Sequence, residues 1–186
     1  MTQISGSPWL LFLLAAIVLC WVVGAYNRLV ALRNAIVAAW SQINLALKRR
    51  GAVVLPLAAA LREPLAAEQG ALDAFLNAHG QAVQAASALG AKPVAVATAA
   101  DWVRAESLLA AASSRLLALV GQQPELPAAP DVAPLLATWS QAQSQLAFAR
   151  RLFDDAAVAY NEAARAPPTR WLLRLFGFGP VGLLGA

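Results

Sequence analysis

Apolar residues recur along the chain at intervals of three and four positions, which is the period of an amphipathic α-helix. Four such stripes follow one another, and no segment alternates between apolar and polar residues as a half-buried strand does. The last stripe keeps this spacing without a break through Leu135, Trp139, Ala142, Leu146, Ala149, Phe153, Ala156, Tyr160 and Ala163. The pattern predicts an all-α fold in which four long helices form an antiparallel bundle.

Prolines separate the predicted helices, because proline removes a backbone donor and does not suit a helix interior. Pro64 and Pro93 fall between stripes, and residues 124–134 contain four prolines. Pro56 falls inside the first stripe, where we expect a kink rather than an end. The bundle is predicted over residues 26–168. Its helices are predicted over residues 26–62, 65–89, 96–121 and 131–166.

The segment PWLLFLLAAIVLCWVVGA, residues 8–25, contains no charged side chain. A bilayer core requires at least about 17 apolar residues, so residues 1–25 are predicted to form an N-terminal transmembrane anchor. A cleaved signal peptide is the alternative, but no Lys or Arg precedes the segment and it has no clear small-x-small cleavage site. Trp9 and Trp21 lie near the two ends and are predicted to contact the membrane interface.

The distribution of basic residues predicts the orientation of this anchor. No basic side chain precedes it, whereas Arg28, Arg33 and Lys48 follow it. The positive-inside rule then places the N-terminus outside and the bundle in the cytoplasm, as in a single-pass protein. The net charge of +4 favours an anionic membrane surface over nucleic acid, because the chain has no nucleic-acid-binding motif.

The predicted helix lengths leave the membrane end of the bundle incompletely covered. Outer helices of about 35 residues would span roughly 50 Å, and inner helices of about 25 residues roughly 37 Å. Residues 26–44 and 149–166 would then form a two-helix stalk with uncovered apolar stripes, which we expect to bind a partner. Alternatively, its polar residues only set the register of the two helices. The candidate interaction residues are Tyr26, Asn27, Arg33, Trp40, Asp155, Tyr160 and Asn161.

The C-terminal residues 169–186, TRWLLRLFGFGPVGLLGA, are both hydrophobic and basic. An antiparallel bundle returns this tail to the membrane, so it is predicted to lie on the membrane surface. The alternative is a tail that folds onto the end of the bundle. The candidate membrane-interface residues in the tail are Arg170, Trp171, Arg174, Phe176 and Phe178.

The sequence contains no catalytic or metal-binding pattern. His79 is the only histidine and Cys20, the only cysteine, lies in the apolar segment, so a Cys/His site cannot form within one chain. We expect His79 to be a partly buried core residue. Arg150 and Asp154 are four positions apart, which is typical of a helix-surface pair. We therefore expect no enzyme activity, no metal, no cofactor and no small-molecule substrate.

Two segments resemble the signatures of the LemA family. YNRLVALRNAIVAAWSQINLALKRR, residues 26–50, is similar to the element that follows that family's anchor. QLAFARRLFDDAAVAYNEAARAPPTRWLLRLFGF, residues 145–178, is similar to its second signature. Residues 51–60 keep only Pro56 and the apolar character, which indicates a divergent member. The resemblance implies a bacterial inner-membrane protein with an N-terminal anchor, an antiparallel helical bundle and no established catalytic residues.

Two functional hypotheses follow from this sequence. The chain is a non-enzymatic structural or membrane-organising protein that self-associates near the membrane, or it is an adaptor for a membrane-bound protease or another envelope protein. Long apolar heptads with few charges favour self-association. The expected partners are the membrane and either a second copy or another membrane protein, and no nucleic acid.

Overall fold

The structure is a computed structural model that describes residues 8–166 and 179–185. The regular secondary structure within these residues is helical, and they contain no strand. The all-α class is therefore confirmed, whereas the antiparallel order of the bundle stays a prediction. The helices are α1 over Pro8–Arg62, α2 over Gln69–Ala91, α3 over Val96–Gly121 and α4 over Ala133–Arg165.

Helix α1 runs without interruption from the apolar N-terminal segment into the bundle. Its 55 residues extend for about 80 Å, and the helix continues through Pro56. Among the described helices, α1 is the one whose length and composition allow it to cross a membrane. None of its most apolar 18-residue window is buried, and Trp9 and Trp21 are exposed there.

Short 3-10 turns connect the helix pairs. Helix α2 begins at Gln69 rather than at the predicted position 65, because a turn at Ala66–Glu68 follows Pro64. The Gln69 side chain donates to the carbonyl oxygen of Arg62 at 2.9 Å, which satisfies an acceptor at the end of α1. A second turn at Leu126–Ala128 precedes α4, whose first turn contains a proline.

Helix α1 packs mainly against α4, and α2 mainly against α3, while α1 also contacts α2. Their apolar stripes are buried in two clusters. The distal cluster lies beyond the middle of α1 and joins all four helices. Its large members include Val54, Leu57, Leu61, Leu72, Phe75, Leu109, Leu116 and Trp139.

The proximal cluster lies nearer to the apolar segment of α1. It consists mostly of α1 and α4 residues, to which α2 contributes Leu89 and α3 contributes Ala99 and Trp102. Its other large members are Leu29, Ile36, Trp40, Ile43, Leu146, Phe153, Tyr160, Val181 and Leu184.

Residues 179–185, called the C-terminal segment below, have no regular secondary structure and contact the bundle. Val181 and Leu184 are buried in the proximal cluster. These residues pack on the bundle, as the alternative expected, and contact of the tail with the membrane surface stays a prediction. Packing on the bundle removes the apolar Val181 and Leu184 side chains from water, which favours this position of the segment. The other tail candidates lie outside the described residues, and their membrane contact stays a prediction: Arg170, Trp171, Arg174, Phe176 and Phe178.

Candidate interaction site

An apolar groove lies between α1 and α4 and is called the α1–α4 groove below. Leu45 of α1 and Phe148 and Leu152 of α4 form its walls and are exposed, with 64% of Phe148 accessible. Ala46 and Ala149 line it as well and are buried. The groove has a volume of about 430 Å³. Small residues on its floor let the two helices approach closely while the larger side chains flank them.

The rim of the groove is polar but mostly uncharged. Gln42, Gln141, Ser144 and Gln145 line it, and among the described lining residues Arg49 alone carries a charge. The Arg49 guanidinium donates a hydrogen bond to Gln145 Oε1 at 2.8 Å and so links α1 to α4. An apolar centre with few charges and a polar rim is typical of protein–protein interfaces.

The sequence contains a signal for this groove in addition to the apolar stripes. Leu45, Phe148 and Leu152 each precede a stripe residue by one position, namely Ala46, Ala149 and Phe153. An apolar residue next to a stripe widens the apolar face of the helix beyond what one partner helix covers. Such a widened face on two neighbouring helices indicates a surface that is left for another molecule.

The structure separates the predicted interaction residues by exposure. Tyr26, Asn27, Arg33 and Asp155 are exposed. Trp40 and Tyr160 are buried, so their predicted place on a surface is wrong. The Trp40 indole and the Tyr160 phenol are buried because each ring removes a large apolar area from water when it packs in the core. An interaction role for the exposed residues stays a prediction.

Trp40 is held by contacts with α2 and α3. Its ring meets that of Trp102 edge to face, with centroids 6.4 Å apart and planes at 83°. Gly90 of α2 lies against the indole. A Cβ at that position would be 3.2 Å from Trp40 Nε1, which is a tight contact. The absence of a side chain at Gly90 therefore allows α2 to pass close to Trp40.

Tyr160 lies near Arg33, as expected if the first and fourth helices pair at this level. Burial raises the pKa of the Tyr160 hydroxyl above its usual value of 10.0, and the positive charge of Arg33 partly offsets that increase. The two residues are thus close enough to interact electrostatically.

Asn161, Arg150 and Asp154 have a role that the sequence did not predict. All three bind the C-terminal segment through hydrogen bonds to its backbone. The expectation that Arg150 and Asp154 form only a helix-surface pair is therefore wrong. A helix periodicity cannot reveal such contacts, because they join α4 to a part of the chain without a helical pattern.

A buried polar centre lies where the four helices meet. Arg50 of α1 is 1% exposed and Glu106 of α3 is 8% exposed, and the guanidinium donates to both carboxylate oxygens at 2.6 Å. Gln143 of α4 accepts from Arg50 Nη1 at 3.5 Å. His79 of α2 lies close enough to Arg50 and Glu106 for both charges to affect its pKa. Each helix thus places one polar side chain at the same level.

Burial and the nearby charges favour the neutral form of His79. Burial lowers the pKa of the His79 imidazole below its usual value of 6.5, the Arg50 charge lowers it further, and Glu106 raises it. The Nε atom of Arg50 and the Nδ1 atom of His79 have no hydrogen-bond partner within the described part of the chain. His79 is half-buried, as expected, and lines a second groove beside Trp40 and Arg50.

This centre does not resemble a catalytic site. The Arg50 charge is already neutralised by a two-point contact with Glu106, which is the geometry of a structural ion pair. Among residues 8–166 and 179–185, no group of three or more His, Cys, Asp or Glu side chains could hold a metal ion. The arrangement supports a structural role, in which the polar side chains align the four helices.

The model of the LemA family matches residues 39–185, which is most of the chain. The chain belongs to the LemA family. The matched region begins within α1 and includes the α1–α4 groove, the buried polar centre and the C-terminal segment. No curated protein sequence matches the chain. The LemA family is not known as an enzyme family.

Proposed function

We propose that this LemA-family chain is a non-enzymatic, membrane-anchored protein that organises the bacterial inner membrane by self-association through the α1–α4 groove. The observation that carries the proposal is the exposure of Leu45, Phe148 and Leu152 in one groove. Large apolar side chains that cluster on a surface mark interaction sites more often than scattered ones do.

The position of the groove relative to the anchor favours a second copy as the partner. The exposed apolar window and Leu45 belong to the same uninterrupted helix. Leu45 follows residue 25 by twenty positions, which corresponds to about 30 Å along the helix. Two copies in one bilayer would present their grooves at the same height, as a two-fold symmetric interface requires.

The charges around the groove favour the same partner. A second copy brings an identical surface, so a groove rich in like charges would repel itself. Here Gln42, Gln141, Ser144 and Gln145 form a neutral rim, and Arg49 already bonds to Gln145. The groove is thus compatible with an identical surface opposite it.

The antiparallel order of α1 and α4 belongs to the same proposal. It is supported by the contact of Arg49 with Gln145 and by the proximity of Arg33 to Tyr160. Between these two contacts the residue number falls along α1 and rises along α4. The distribution of basic residues supports a cytoplasmic bundle and an external N-terminus.

In-cell photo-crosslinking from position 148 of the full-length protein tests the proposal. We expect a probe that replaces Phe148 to capture mainly a second copy, identified by mass spectrometry. A probe at Leu108, which is also exposed but lies on α3, is the matched control and should capture little. Capture of one different protein from position 148 would instead support an adaptor, and no capture would show that the groove is unoccupied. Either result would overturn self-association through this groove.

A further inference from the structure

The C-terminal segment is held on α4 by side chains that recognise its backbone. Asn161 Oδ1 accepts a hydrogen bond from the Val181 N–H, and Asn161 Nδ2 donates one to the Val181 carbonyl oxygen, both at 2.9 Å. One side-chain amide thus satisfies both backbone groups of one residue. A neighbouring strand does the same when a peptide joins the edge of a sheet.

Two further residues of α4 continue this recognition. Asp154 Oδ1 accepts from the Leu184 N–H at 2.6 Å. The Arg150 guanidinium donates to the carbonyl oxygens of Leu184 and Gly185, the latter at 2.5 Å. The same guanidinium lies over the Trp102 ring, 5.1 Å from its centroid, which orients it. Because positions 150, 154 and 161 are four and seven apart, the three side chains form a row along one helix face.

Apolar contacts give the row its selectivity. Val181 and Leu184 are buried, and Gly182 lies against α3. A Cβ at position 182 would be 2.8 Å from the Ala99 Cβ and 3.0 Å from the Val96 Cα, so only glycine fits there. The site therefore takes a peptide without regular secondary structure that has two apolar residues three positions apart and a glycine directly after the first.

The connection to this segment is longer than docking on the same chain requires. Twelve residues, 167–178, separate Ala166 from Gly179. Val181 binds next to Asn161, which precedes Ala166 by five residues, or about 7.5 Å of helix. Twelve residues can span roughly 40 Å when extended. The covalent connection therefore allows the segment to reach the same row on an adjacent copy.

We propose that the row formed by Arg150, Asp154 and Asn161 is a peptide-binding site that takes the C-terminal segment of a second copy, so that neighbouring copies exchange these segments. The exchange forms the same contacts that the structure shows within one chain, which makes it a low-cost route to a dimer. Anchoring in one membrane raises the local concentration of the segment around the site. The inference rests on the proposed self-association and gives it a second, separate contact.

A pair of complementary full-length variants tests the exchange. The first variant carries Arg150→Ala and Asn161→Ala, so that its own site is lost, and a photo-crosslinking probe at Leu183, which is 49% exposed. The second variant keeps the site intact and carries Gly182→Val, which prevents its own segment from docking against Ala99. When the two are produced together, the segment of the first variant has one intact site available, and that site is on the other copy.

We expect the probe to crosslink to α3 or α4 of the second variant when both are present, and not to crosslink when the first variant is alone. Absence of such crosslinks in the pair, while a probe at Leu183 in the native chain crosslinks within that chain, would overturn the exchange. Circular dichroism of each variant verifies that it is folded. If the double alanine variant does not fold, Arg150→Gln with Asn161→Asp replaces it. These changes remove the cation that binds the Leu184 and Gly185 carbonyl oxygens and the amide donor that binds the Val181 carbonyl oxygen.

A peptide of residues 179–186 provides a second measurement on the folded Gly182→Val variant. We expect saturable binding of this peptide, and at least tenfold weaker binding of a peptide that itself contains Gly182→Val. Equal or absent binding of both peptides would overturn the site. Crosslinking from position 148 separates this inference from the proposed function, because the groove contact would persist if only the exchange were wrong.

Discussion

The two halves of the bundle are closed in different ways. In the distal cluster all four helices contribute large buried side chains, and the Phe75 and Trp139 rings meet edge to face with centroids 5.3 Å apart. In the proximal cluster α2 and α3 contribute only residues near their adjoining ends, and Val181 and Leu184 of the C-terminal segment complete the cover. Where the inner helices end, the irregular C-terminal segment thus takes their place over the proximal cluster.

This difference explains where hydrogen-bonding side chains occur on α4. A helix satisfies its own backbone groups, so the distal half needs only apolar side chains at its seams. A segment without regular secondary structure has no such internal partners, so its buried N–H and C=O groups require donors and acceptors from the surface beneath it. Asn161, Asp154 and Arg150 supply them in the proximal half.

The buried polar centre marks the boundary between the two halves. On α1, Arg50 follows Ala46 of the proximal cluster and precedes Val53 of the distal one. On α3, Glu106 lies between Trp102 and Leu109. Buried polar pairs can fix the register of packed helices, because any shift leaves a charge without its partner. We infer that this centre aligns the halves.

The largest effect on stability is expected when one partner of this centre is removed. Glu106→Ala leaves the Arg50 guanidinium buried without its counter-charge, which typically costs about 3–5 kcal/mol. Chemical denaturation of the full chain in detergent measures the loss. The control replaces both partners, as Arg50→Met with Glu106→Leu, and should cost far less or even stabilise the fold. If Glu106→Ala and the double variant were equally unstable, the boundary role of the pair would be wrong.

A smaller effect is expected from Asn161→Ala, which removes two hydrogen bonds to Val181. At about 0.5–1.5 kcal/mol each, their loss destabilises the proximal half by roughly 1–3 kcal/mol. Hydrogen exchange should show faster exchange of the Val181 and Leu184 amides, while α2 amides around Phe75 are unchanged. Asn44→Ala, at an exposed asparagine of α1, is the matched control. Equal loss of protection in both halves would contradict the expectation that Asn161 stabilises only the proximal half.

A still smaller effect is expected from pH, through His79. Because burial and Arg50 lower the pKa of His79 in the folded chain below 6.5, the unfolded chain binds the proton more tightly. The contribution of neutral His79 is therefore fully present above pH 6.5 and is lost as the pH falls through the lowered pKa. Thermal unfolding at a series of pH values from about 7.5 to about 5, the range in which histidine side chains titrate, measures this pH dependence of stability. His79→Gln should flatten this dependence, and an unchanged slope would exclude His79 as its source.

The smallest effect is expected at an exposed ion pair outside both clusters. Asp101 and Arg104 of α3 form a contact, but they are 57% and 76% exposed. Solvent screens such pairs, so Arg104→Ala should change the free energy of unfolding by less than about 0.5 kcal/mol. Denaturation under the conditions used for Glu106→Ala measures the difference. A loss comparable to that of Glu106→Ala would mean that burial does not decide which charges matter here.

The helices could be predicted from sequence because their cores depend on a local period. Trp139, Leu146 and Phe153 are buried where the last stripe places them. The continuous helix through Pro56 also follows from an apolar pattern that does not stop there. A period of three and four residues is a property of one segment, so it needs no knowledge of what lies opposite.

The candidate sites were less predictable because each depends on segments that are distant in the chain. Arg50 and Glu106 are 56 residues apart, and the sequence does not show which basic residue pairs with which acid. The C-terminal segment binds mainly through its backbone, which leaves no pattern apart from Gly182. Trp40 and Tyr160 are predicted at an interaction surface because they lie in the segments expected to form an uncovered stalk, but both rings are buried.

Counting of single-molecule photobleaching steps tests self-association through the α1–α4 groove most directly. The full-length chain, labelled once per copy, is extracted from its native membrane within lipid discs. We predict two or more steps for the native chain. Because exchanged C-terminal segments would also hold two copies together, the groove variant and its control both carry Arg150→Ala and Asn161→Ala. In that background Phe148→Ser with Leu152→Ser should give one step, while Leu108→Ser on α3 keeps the count of the background. A single step for the native chain, or an unchanged count in the groove variant, would contradict the account.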